Sequence, residues 1–173
     1  MNNKIRNRFY IKQAVLFIFF TAPYTHIVAQ DSGYIRPPLI EKYSAYRKQV
    51  KNDSTNKMIE LKKLIPDIVY DLRYASTNNF MKRLMYHDGT NITFMRLPAA
   101  MALQKAQKEL NESGLGLKIF DAYRPYSVTE KFWELVHDER YVANPAKGSE
   151  HNRGVAVDLT DRKSTRLNSS HRL

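Results

Sequence analysis

The strongest periodicity in the chain lies between Pro98 and Ser113. Ala99, Ala100, Ala102, Leu103, Ala106 and Leu110 recur at helical spacing, with Gln104, Lys105, Lys108 and Glu109 on the opposite face. That pattern predicts an amphipathic helix with one side on a core. Pro98 suits its first turn, and Gly114 and Gly116 supply its end. Leu117 to Pro125 predicts a strand that stops at the proline, because the residue before a proline is pushed into an extended conformation. Asp67 to Tyr74 alternates well enough for another strand, followed by a polar loop that closes on Phe80. Ser127 and Glu130 have the spacing of a capping box. The helix they predict runs through Phe132, Trp133, Leu135 and Val136, whose apolar bulk points to a core, with His137 as a capping or surface residue. Val155 to Thr160 reads as a buried strand by composition, and Met58 to Ile65 fits either an edge strand or a helical turn before Pro66.

The two ends break from this pattern. Lys4, Arg6, Arg8 and Lys12 precede an apolar run from Ala14 to Ala22, and Ile27-Val28-Ala29 ends in a small residue. A basic start, a short apolar run and a small residue describe a secretory signal peptide over residues 1–29, so the expected location is exported, periplasmic or cell envelope. The run falls short of the roughly 20 apolar residues of a comfortable membrane span, so no stable span is expected after cleavage, a retained anchor being the alternative. Residues 30–56 form a polar lead-in with room for a short helix. At the other end, Asp161 to His171 has no apolar periodicity and resembles, codon by codon, the translation of a common sequencing adapter. Residues 161–173 are therefore expected to be non-native, with Thr160 the last genuine residue and His171 excluded as a ligand.

Charge follows the same division. Of the formal net charge of +11, four positive charges lie in residues 1–29 and a net three in residues 161–173, which leaves four across residues 30–160. That is ordinary for one domain and gives no case for nucleic-acid binding. The chain has no cysteine, which excludes disulfides and thiolate metal sites.

The candidate chemistry gathers in Ser149-Glu150-His151-Asn152-Arg153-Gly154-Val155-Ala156-Val157-Asp158. Imidazole and carboxylate are good zinc ligands. His151 and Asp158 stand seven positions apart, and a straight strand would send them to opposite faces. Gly154 can supply the bend that brings them together. The competing reading is a loop histidine followed by a strand with an aspartate at its end. Arg124, fixed at a strand mouth, is placed either to stabilise an oxyanion or simply to cap a helix or pair with Asp121. Asp71 and Arg73 read equally as a solvated pair, and Tyr74 as packing. No Gly-x-Ser-x-Gly elbow is present, and Ser149 has no nearby base expected of a nucleophile.

Tyr70-Asp71-Leu72-Arg73-Tyr74-Ala75 with Asn79-Phe80, then Asp121-Ala122-Tyr123-Arg124-Pro125, then Ser149-x-His151-x-x-Gly154-x-Ala156-x-Asp158 together resemble the D-alanyl-D-alanine dipeptidases. These are zinc enzymes of the D,D-carboxypeptidase and hedgehog-like fold group, and the resemblance covers residues 57–160. It implies an α+β fold, a small antiparallel sheet with flanking helices, incomplete at its C-terminus. It implies one zinc ion per subunit held by His151 and Asp158, Arg124 as transition-state stabiliser, and Ser149, Tyr74 and Asp71 as substrate-binding residues for the dipeptide D-Ala-D-Ala. It also implies a later Glu-x-x-His motif carrying the base and the third ligand. No such motif follows His151, so the chain as given is expected to be truncated and inactive. The alternatives are a D,D-carboxypeptidase acting on peptidoglycan stem peptides, or a non-catalytic wall-binding module.

Overall fold

The structure is a computed structural model that describes residues 33–163. Residues 1–32, which include the expected signal peptide, and residues 164–173 lie outside the described residues. The lead-in carries helix α1, Tyr43–Asn52. Strand β1, Met58–Glu60, passes directly into a single helical turn, α2, Leu61–Leu64. Both readings of that stretch are thus realised in succession. β2 is Val69–Tyr70, followed by a 3-10 turn at Arg73–Ala75. β3, Phe94–Arg96, runs straight into α3, Leu97–Glu112, and then β4, Leu115–Asp121. α4, Tyr126–Val136, and β5, Asp158–Lys163, complete the described fold.

The architecture is α+β. β1 and β3 form an antiparallel pair with Met58 opposite Arg96. β4 is the middle strand of a second sheet, with β2 parallel on one side and β5 antiparallel on the other. A parallel pair needs a crossover connection, and α3 lies within the one between β2 and β4. α3 lays Ala100 and Leu103 against Leu61, Ile119 and Ala122, all buried. Each large side chain so buried contributes roughly 1.5–3 kcal/mol. A second cluster, Met85, Val128, Phe132 and Val142, lies under α4. The candidate chemistry lies beside both, its cleft walled by Phe132 and Val142 and its His151 ring against the Ala122 carbonyl.

Four local expectations are corrected. The strand expected over Asp67–Tyr74 is ladder-paired only at Val69–Tyr70; Asp71 still donates its N–H to Ile119 O at 2.9 Å before the chain turns. Gly114, at φ +69°, closes α3, whereas Gly116 lies inside β4. The capping box does not form: α4 begins at Tyr126 with no side-chain cap, and Glu130 is drawn instead to Tyr34 and Arg36 of the lead-in, at 2.8 Å each. The strand expected at Val155–Thr160 starts only at Asp158 and is not buried, Val155 being 44 % and Leu159 40 % exposed. Among the described residues β5 pairs with β4 alone, so edge position replaces the burial that composition suggested. Asp161–Lys163, within the stretch expected to be foreign, continue β5 opposite Leu115–Leu117.

Candidate active site

The register of β4 and β5 sets Asp158 directly opposite Asp121, next to an irregularity between Ile119 and Asp121. Such a break re-aims side chains at a strand end. His151 reaches this point from the loop before β5. Its loop is tied to the exit of β4, with Arg124 N–H donating to His151 O at 3.1 Å and Asn152 donating to Arg124 O at 2.8 Å. Gly154 makes the predicted bend, with φ +69° and its N–H donating to His151 O. Its carbonyl accepts from Arg96 N–H at 2.8 Å, which anchors the turn on β3.

His151 Nδ1 lies 2.8 Å from Ala122 O, so this nitrogen carries the proton and Nε2 presents its lone pair. Nε2 is 3.6 Å from Asp158 Oδ1. The two candidate ligands are therefore brought together, with the imidazole tautomer already set. Burial opposes protonation of His151, but the Asp158 carboxylate and the Ala122 carbonyl outweigh it and raise its pKa. His151 in turn holds the Asp158 carboxyl below its ordinary value.

Asp121 also has an oxygen within 4.8 Å of these donors. Its oxygens are engaged elsewhere. Oδ2 accepts from Arg124 Nε at 3.0 Å and from a terminal guanidinium nitrogen at 2.6 Å, and Oδ1 accepts from the Tyr86 hydroxyl. It faces the protonated Nδ1 side of His151, not the open Nε2. Asp121 is thus an anchor for Arg124, and the open donors are His151 Nε2 and Asp158. One nitrogen and one carboxylate form a zinc-type donor set, so the residues present fit part of such a site.

Arg124 pairs with Asp121, as its structural reading expected, and it also lines a cleft of about 240 Å³ with Tyr74, Phe132, Ser149, His151 and Asp158. Its guanidinium lies 4.8 Å from the Phe132 ring centroid and 5.3 Å from that of Tyr74. A roomier groove of about 440 Å³ runs between α2 and α3, but no metal-ligand cluster faces it among the described residues.

Over residues 54–171 the chain matches the model of the D-ala-D-ala dipeptidases. The chain belongs to the D-ala-D-ala dipeptidase family. A D-alanyl-D-alanine dipeptidase of Escherichia coli K12 is 34 % identical over 106 residues, 61 % of this chain and 54 % of that protein. Another, from Enterococcus faecalis V583, is 28 % identical over 123 residues, 61 % of each chain. The chain spans about half to three fifths of the length of these relatives.

Within this family member the remaining site residues divide. Ser149 is buried at the cleft, its Oγ accepting from His151 N–H at 3.2 Å with the hydroxyl proton left to donate. Tyr74 packs edge-on against Phe132 at 4.8 Å and lines the cleft. Asp71 is not among the residues that line the cleft: it pairs with Arg73 at 2.9 Å, as its solvated-pair reading expected, and approaches Lys118 at 3.9 Å. Sequence reasoning missed Tyr86, which joins the site from a loop with no motif of its own. It also assigned Phe132 to the core, and that residue is both core and cleft wall. Phe80 and Tyr141 complete the rim. Phe80 stood inside the Asn79-Phe80 signal, whereas Tyr141 gave none.

Proposed function

We propose that the chain carries the zinc-binding and substrate-orienting half of a D,D-dipeptidase site, acting on D-Ala-D-Ala in the cell envelope. The observation that supports this most directly is His151 Nε2 facing Asp158 Oδ1 at 3.6 Å, with Nδ1 committed to Ala122 O and the Arg124 guanidinium beside them. His151 and Asp158 hold the ion. The chemistry such an ion supplies when bound is polarisation of a carbonyl and a water whose pKa falls to about 7. Arg124, fixed and poorly exposed, offers positive charge where an oxyanion develops. Ser149 offers a hydroxyl donor to the substrate carboxylate, and the faces of Tyr74 and Phe132 exclude water beside it. A volume of about 240 Å³ is below the roughly 300–1,000 Å³ of clefts for drug-sized ligands, which suits a dipeptide. The envelope location rests on the leader pattern of residues 1–29.

The test has two parts. Zinc should bind the full chain weakly, as two protein ligands allow, and be lost in both His151→Ala and Asp158→Ala. A chain carrying the family's Glu-x-x-His motif should release free D-alanine from D-Ala-D-Ala and stop when a chelator is added. Arg124→Gln in that chain should lower the rate by about 10²–10³. Chelator-resistant hydrolysis, or zinc binding that survives loss of His151, would sink the reading. Faster cleavage of a blocked tripeptide than of the free dipeptide would move the substrate to peptidoglycan stems.

A further inference from the structure

The Arg124 guanidinium has two carboxylates within reach. One terminal nitrogen lies 2.6 Å from Asp121 Oδ2 and 4.0 Å from Asp158 Oδ2. A guanidinium seated on Asp158 would occupy an oxygen and set a positive charge against any cation arriving there. What holds Arg124 on the other side is visible. Asp121, 2 % exposed, receives two donors from Arg124 on one oxygen and the Tyr86 hydroxyl on the other. The Tyr86 bond fixes the carboxylate plane, and the same hydroxyl lies 3.4 Å from Tyr123 O, which ties it to the exit of β4. The Phe132 and Tyr74 rings flank the guanidinium. Asp158, by contrast, is half exposed, and among the described residues the basic side chains within 4.0 Å of it are Arg124 and the His151 ring.

We propose that Tyr86 and Asp121 are positioning residues that hold Arg124 away from Asp158 and so keep the Asp158 carboxylate open to a divalent cation. This rests on the metal reading above. Loss of the Tyr86 hydroxyl loosens Asp121 and lets Arg124 shift toward Asp158. The metal then competes with a guanidinium for its own ligand.

A double-mutant cycle on the full chain tests this, with zinc affinity read by competition against a chromophoric chelator. Tyr86→Phe changes no charge and should weaken zinc binding by about three- to tenfold. In an Arg124→Gln background the same substitution should have no effect, because no guanidinium remains to be released. Unchanged affinity in Tyr86→Phe alone overturns the proposal. So does an equal loss in both backgrounds, which marks general loosening of the site. If the amide spectrum shows Tyr86→Phe to be unfolded, Asp121→Asn takes its place, and its loss must shrink in the Arg124→Gln background. A metal-free arm separates this proposal from the functional reading. Hydrogen exchange at Arg124 Nε–H, followed in 15N-arginine protein, should be slow in the parent and faster in Tyr86→Phe; equal rates overturn the anchor. A parent chain that binds no zinc overturns the functional reading, and the anchor is then judged on the exchange rates.

Discussion

Gly154 shows how much one residue carries here. Its φ is +69°, a region that costs other residues about 1–2 kcal/mol. A Cβ there would also lie 2.7 Å from Met58 Cε, 3.0 Å from Met58 Sδ and 3.3 Å from the Arg96 backbone nitrogen. The methionine tip can move, but the backbone of β3 cannot. Gly154→Ala should therefore lower stability by about 2–3 kcal/mol and displace His151, read as a lower urea midpoint together with weaker zinc binding. Adding Met58→Ala should recover only part of the loss, since the backbone contact and the left-handed conformation persist. The need for glycine was legible from the spacing of His151 and Asp158. The close approach of Met58 was not, because β1 lies almost a hundred residues away in sequence.

At the scale of elements, α3 is held to the sheet by a polar clasp as well as by its apolar face. Gln107, 2 % exposed, accepts from the Leu117 N–H at 2.8 Å and donates to Asn111 at 2.7 Å and Asp67 at 3.3 Å. Gln107→Leu strands a buried N–H of β4 and should cost about 1–3 kcal/mol, seen as a lower denaturation midpoint and faster exchange of the Leu117 amide. The lead-in is a second case. It precedes the family match, which begins at residue 54, yet Tyr34 and Arg36 both reach Glu130 on α4. Glu130→Ala should speed amide exchange across residues 34–42 and leave α3 unchanged. Long elements with a clear period, α3 above all, were legible, because sixteen residues average out local exceptions. β2 and β5 were misjudged in extent or burial because strand length depends on a partner elsewhere in the chain. The capping box failed for a related reason: Glu130 has the right spacing for a cap, but its better partners sit 96 and 94 positions away.

For the molecule as a whole, buried phenols set the alkaline limit. Burial pushes Tyr70 up to about 12, and burial with the adjacent Asp121 carboxylate pushes Tyr86 higher still. Both folded-state values are raised above the ordinary value of about 10. Their stabilisation is then fully present below that value and is lost as pH rises through the folded-state range, because the unfolded chain ionises first. The thermal midpoint should fall between pH 10 and 12. Absorbance titration of the eleven tyrosines should show late-ionising phenols, fewer of them in Tyr86→Phe. Alone, the amino-acid sequence determined the family motifs, the helix of α3 and the turn at Gly154, and through the resemblance it named His151, Asp158 and Arg124 as candidates. All of these depend on residue type and local spacing. Tertiary structure alone decided that Asp158 stands opposite Asp121, that Asp71 turns to Arg73 and Lys118, and that Tyr86 closes the anchor behind Arg124. Each of those depends on strand register or on a loop folding back, and contacts between residues far apart in the chain leave no period for a sequence to display.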